Sequence, residues 1–389
     1  MGFQAYNKQS VHNLQLRESA QTLLDDGCIT PPQYEALKTA FPVVFKQSNL
    51  FVRVGLFLFT CLCLLFGAGL FGLMTLGSGG TEAIGFILLM FAFVVGCVTE
   101  MLIRSNNLYR QGSDNALIYA TILSLMSSIA VILKIEIPLT ISLISVFVLS
   151  LATWRYGDPF LAVLAFLGFL FSIFLIIKNA EMNLAAIPLS LAIISVSTYF
   201  FVKNCLKNES LFYWKDCFEI LEKVSLFTIY ASTNYFVIHQ LAMQMDSSFE
   251  VEPLPLSFVF SGLTTVLPLV YIYFGIKNRD RTLWIVGAII VLMSVLTFKY
   301  YHHVLPLEWS LLIAGTLLLG IGFLLLQYLK TPKNGFSNQP ERGAKNPYEA
   351  LIISQVLQHS HAMEALPDSE IPPQFGGGDF GGGGASGEF

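Results

Sequence analysis

Apolar runs of roughly bilayer-spanning length recur along this chain, separated by short polar turns. Ten can be marked off, at residues 54–76, 83–103, 116–133, 137–153, 159–177, 185–202, 224–243, 256–274, 282–296 and 307–328. The pattern predicts an all-α polytopic membrane protein of about ten transmembrane helices, flanked by polar segments at 1–50 and 330–389. The loops after the second, fourth, sixth and eighth runs carry Arg104, Arg110, Arg155, Lys203, Lys207, Lys215, Lys223, Lys277, Arg279 and Arg281. The alternate loops carry only Lys134, Lys178 and Lys299. That asymmetry puts the basic loops in the cytoplasm, and an even number of spans then puts both termini there.

Composition agrees. Hydrophobic residues make up 54% of the 389, charged residues 12%, and mean hydropathy is +0.64. No basic start followed by a short apolar core precedes the first run, so that run is expected to serve as the insertion signal. Of the six cysteines, Cys28, Cys205 and Cys217 are expected in the reducing cytoplasm. Cys61, Cys63 and Cys97 fall inside spans, where small buried thiols are expected rather than a metal site.

Residues 13–41 read as a helical hairpin. Leu14, Leu16, Ala20, Leu23 and Leu24 form one stripe, and Gly27 is placed to end that helix in a left-handed conformation. Thr30-Pro31-Pro32-Gln33 spells an N-cap, a proline at the first helical position and a capping-box glutamine. Tyr34, Leu37 and Phe41 form the second stripe, which needs a partner or the membrane domain to cover it. The run from Leu23 to Gln33, ahead of a multi-span region, resembles a family of bacterial membrane proteins that open with a cytoplasmic helical-hairpin domain of unknown function. The resemblance implies a bacterial inner membrane and adds no activity and no catalytic residue.

Charge is nearly absent from the middle of the runs, where it would be costly and functional. The seventh run is the most polar, with Ser232, Thr233, Asn234, His239 and Gln240 along one helix, and Asn234, His239 and Gln240 are the candidate intramembrane polar site. Gly67-x-Gly69-x-x-Gly72 spells a dinucleotide motif without the strand that motif requires, so close helix packing is the expectation. Pro188 and Pro268 fall inside runs and are expected to kink them. Leu211, Trp214, Phe218 and Leu221 lie on one face of 203–223, which predicts an amphipathic helix in the inner interface. The acidic loop 246–252 and His302-His303 fit no metal-binding spacing.

Pro347 opens a short amphipathic helix with Tyr348, Leu351, Ile352 and Val356 on one face, again needing membrane or protein to cover it. The ending, with Phe375, Phe380 and Phe389 spaced by glycines, cannot form a core and is expected to be disordered alone. It resembles the Gly-rich, aromatic-ended C-termini of many bacterial membrane proteins that carry a TPM domain. That domain is missing here, so what the resemblance implies is a partner-binding tail, the alternative being a solubilising spacer.

No nucleophile–base set, phosphate loop or metal cluster is spelled out, so no enzyme, cofactor or metal is expected, and no basic patch points to nucleic acid. The expected function is an integral membrane scaffold or assembly factor that binds protein partners through its cytoplasmic termini. The alternative is a secondary transporter of a small solute, because ten short-looped spans with both ends inside resemble the drug/metabolite transporter architecture.

Overall fold

The structure, a computed structural model, describes residues 3–46, 48–73, 80–180, 186–245, 257–278, 280–302 and 347–359, with isolated helical positions between 308 and 327. Regular structure among the described residues is helical throughout. Two compact units divide the chain: Met1–Tyr6 with Lys46–Leu324, and Asn7–Phe45 with Leu325–Phe389.

The smaller unit begins with α1 (Lys8–Asp25), whose first turn is capped by Asn7: the Ser10 N–H donates to its Oδ1 at 3.2 Å. Gly27, at φ +72°, reverses the chain, and the Cys28 N–H donates to Leu23 O at 2.8 Å. Thr30 precedes α2 (Pro31–Ala40), and Gln33 Oε1 reaches back to the Thr30 N–H at 2.8 Å. Arg17 then ties the two helices together, donating to Phe41 O and Lys38 O, each at 2.6 Å.

The larger unit holds α3 (Leu50–Leu73), α4 (Thr81–Asn106), α5 (Ser113–Ile132), α6 (Pro138–Tyr156), α7 (Pro159–Asn179) and α8 (Ala186–Cys205). A 3-10 helix (Glu209–Trp214) leads into α9 (Lys215–Thr233) and α10 (Tyr235–Met245), followed by α11 (Ser257–Lys277) and α12 (Arg281–His302). Eight of these, α3–α8, α11 and α12, are long and apolar enough to cross a membrane, which makes this a multi-pass membrane protein by length and composition. The seventh expected span is not one helix but α9 and α10, broken at Asn234. The tenth falls largely outside the described residues.

Sequential hairpins organise the bundle: α4 packs on α5, α6 on α7, α8 on α9, and α11 on α12. Hydroxyls bridge neighbouring helices, as with Ser142 and Ser172 at 2.8 Å and Thr228 and Ser195 at 3.0 Å. The turns that close these four hairpins are the basic loops, and they are tied to one another. Asp114 accepts from the Arg110 and Gln111 N–H groups at 2.7 and 2.8 Å. Arg110 donates to Gly157 O at 2.8 Å and pairs with Asp216, while Arg155 pairs with Glu100 at 2.6 Å. Lys203 pairs with Asp280, which also caps α12. The chain start joins this end: the Ala5 N–H donates to Arg155 O at 3.0 Å, and the Tyr6 hydroxyl to Asp114 at 3.1 Å.

Two expectations need correcting here. Pro188 lies in the first turn of α8, where no intrahelical N–H is lost, so it has no helix interior to kink. The segment 203–223 is not a separate interfacial helix. Leu211 and Trp214 belong to the 3-10 turn, while Phe218 and Leu221 sit in the opening turns of α9, which runs on unbroken to Thr233. Asn208 caps the 3-10 turn, and hydrogen bonds from Tyr213 to Arg155 O (2.9 Å) and Trp214 to Trp154 O (3.1 Å) fasten it to the end of α6.

The chain returns to the smaller unit as α13 (Pro347–His359), which packs on both α1 and α2. Ile353 and Leu357 join Ala20, Leu23 and Leu37 in one buried core, and the Ser19 hydroxyl donates to Glu349. The hairpin and the C-terminal helix thus cover each other. The buried stripe on α13 is Glu349, Ile353 and Leu357, one turn apart, whereas Leu351 of the expected face is exposed.

Candidate functional site

The polar residues flagged in the seventh run gather where α9 stops. Ser232, Thr233 and Asn234 are residues whose side chains compete for backbone hydrogen bonds and favour caps over helix interiors. Asn234 takes an extended conformation (φ −74°, ψ 123°) and breaks the helix. Its Oδ1 then accepts from the Phe236 and Val237 N–H groups at 2.9 and 3.3 Å, capping α10. Its Nδ2 donates to the Tyr230 hydroxyl at 2.8 Å and to Thr297 Oγ1 of α12 at 3.0 Å. Asn234 is buried, as an amide with every polar atom engaged can afford to be.

Helix α11 supplies the other half. The Tyr235 N–H, which has no partner inside α10, donates to Thr264 Oγ1 at 2.9 Å. One turn on, Pro268 lacks the N–H that would bond to the Thr264 carbonyl. Ser294 of α12 fills the gap, its hydroxyl donating to Thr264 O at 2.9 Å. Two helix interruptions on neighbouring helices are therefore satisfied by side chains from three.

Beside the break, between α9–α10 and α12, lies a cavity of about 340 Å³. Phe227, Val237 and Leu296 are among its apolar walls, and Tyr230, Asn234 and Thr297 are its polar side. Of the three expected site residues, Asn234 alone lines this cavity. His239, one turn further along α10, lies 5.8 Å ring to ring from Tyr235, and His239 and Gln240 are both half-buried. Thr264, Ser294 and Thr297 were missed by sequence reasoning, because single hydroxyls in apolar runs carry no pattern. The Ser-Thr-Asn run was the available signal for the break.

The remaining expectations fall elsewhere. Phe375, Phe380 and Phe389, the acidic loop 246–252 and His303 lie outside the described residues. Cys63 and Cys97 face outward from α3 and α4 rather than into the core. Among the described residues, no three metal-ligating side chains converge. Sequence reasoning also missed the buried polar cluster at the basic end. There Tyr6 and Asp114 are buried together, and burial first, then Asp114, holds the Tyr6 phenol well above its ordinary pKa. Burial likewise pushes the Cys217 thiol up to about 12, so it is inert at neutral pH.

No family model, curated protein or solved structure matches this chain.

Proposed function

We propose that this protein is a membrane scaffold or assembly factor that holds protein partners at the face of the bilayer carrying its basic loops. The observation that carries the reading is the three-helix unit. Segments more than three hundred residues apart in sequence meet in one core that is separate from the bundle. Because α13 and the hairpin share that core, the chain has to cross the bilayer an even number of times between them. Counted as one crossing, α9–α10 would make nine with the eight long apolar helices, and the apolar run at 307–328 would make a tenth. The positive-inside asymmetry then favours a cytoplasmic location for both termini, and short loops with the hairpin resemblance favour a bacterial inner membrane. Leaving the unit at His359, the aromatic-glycine tail would be presented from a folded platform.

In-cell crosslinking and capture tests this with three chains: full length, one ending at His359, and one ending at Lys330. The middle chain keeps the three-helix unit whole, which the shortest does not. A partner held by full length and lost from the chain ending at His359 supports a docking tail. One lost only at Lys330 moves the partner site to the three-helix unit. Partner-free captures from all three sink the scaffold reading.

The α9–α10 interruption favours a second reading, transport, because transporters build solute sites on discontinuous helices. It predicts solute flux in liposomes that Asn234→Ala impairs. Against it stands the closed hydrogen-bonding of Asn234, which leaves that amide no free group for a solute.

A further inference from the structure

We propose that the cavity beside the Asn234 break is a binding site for a neutral, membrane-soluble molecule with an apolar body and a single hydroxyl or carbonyl head. The proposal does not depend on the scaffold reading.

Size comes first. Protein interiors contain few voids larger than a water molecule, and a space of about 340 Å³ lies in the range of small-molecule sites. The polarity of the space is one-sided. Tyr230 and Thr297 bring hydroxyls to one wall, where Asn234 fixes both, while Phe227, Val237 and Leu296 line the rest. Thr297 already donates to Met293 O at 3.0 Å, so the Tyr230 hydroxyl is the group that meets the head, and a hydroxyl, which both donates and accepts, suits an alcohol or a carbonyl.

Charge decides the class. No Asp, Glu, Lys, Arg or His is among the described residues that line the space, so an ionised ligand would be buried without a counter-ion. Access decides the source. Phe227 (40% exposed), Val237 (43%), Met293 (40%) and Leu296 (36%) flank the space, which therefore opens sideways from the bundle. On a helix such as α12, long and apolar enough to span, sideways is into the bilayer. The ligand is thus drawn from the membrane rather than from water.

The test is photolabelling of the full chain in phosphatidylcholine nanodiscs with a long-chain alcohol carrying a diazirine next to its hydroxyl. An alkyl sulfonate of equal length, with the same diazirine, is the charged control. The proposal expects crosslinks on 227–237 and 293–297 to exceed those on α3, none of whose residues is buried, by about tenfold. Filling the space with Ala231→Trp, or separately with Met293→Trp, should remove that excess, and thermal unfolding of each variant shows which of them retains its fold and can be read. Equal labelling of α3 would mean ordinary lipid contact and overturn the proposal. So would labelling that survives in a filled, folded variant, or a sulfonate that labels as well as the alcohol.

Discussion

Asn234 shows how much one side chain decides. An alanine there would leave α10 uncapped and the Tyr230 and Thr297 hydroxyls without their donor. The neighbouring interruption offers a cleaner test, because its cause and its compensation are different residues. Ser294→Ala should cost about 1–3 kcal/mol by orphaning the Thr264 carbonyl. In a Pro268→Ala background the restored N–H can bond to that carbonyl, so the same serine change should cost much less. Thermal unfolding of the four proteins of this cycle measures the coupling, and additive losses would contradict the assignment. Pro268 was legible in the sequence as a proline inside a span; the serine that satisfies the freed carbonyl was not, because it lies on another helix. In the three-helix unit, burial lowers the His12 pKa below its ordinary value, and Glu349 only partly offsets this. The folded state therefore takes up the proton less readily than the unfolded one. The unit should be fully stable above about pH 6.5 and weaken as pH falls below it. Amide exchange on α1 and α13, corrected for its intrinsic pH dependence, should show the loss, and His12→Gln should flatten it.

Elements were read from sequence with uneven success, for physical reasons. Gly27, Thr30 and Gln33 mark the turn and the start of α2, so those limits were legible, whereas α1 begins at Lys8 behind its Asn7 cap, ahead of the expected start at residue 13. The long apolar helices were legible from length alone. What pairs with what was not: the hairpin stripe and α13 were each seen to need a cover, but nothing local marks them as each other's. Their shared core makes a direct prediction. Ile353→Ala should destabilise the unit by about 2–5 kcal/mol, raising amide exchange in α1 and α2 while leaving α4–α9 unchanged. Turn glycines should separate in the same way. Gly112 sits at φ +92°, and a Cβ there would fall 2.1 Å from Arg53 O, so Gly112→Ala must push α3 off the α4–α5 turn. Gly27 also has positive φ but open space around it, so Gly27→Ala should cost only about 1 kcal/mol. Equal losses in thermal unfolding would contradict the close approach of α3.

At the scale of the whole molecule, two polar clusters stand out among the described residues of the larger unit: the knitted turns at the basic end and the break at Asn234. The first was legible only as a charge count, because Arg110, Asp114, Arg155 and Asp216 come together from separate turns. With the even number of crossings proposed above, the sidedness of that count and the three-helix unit agree, since both then put the two termini on one side. The account therefore depends most on the joining of the two ends of the chain. The measurement that tests it most directly is crosslinking in native membranes. Ser19→Cys and Glu349→Cys would be introduced together into a chain with its six cysteines replaced, then treated with a short bis-maleimide. The account predicts an efficient link within single chains, abolished when Ile353→Asp is added. No link, or a link only between chains, would contradict it.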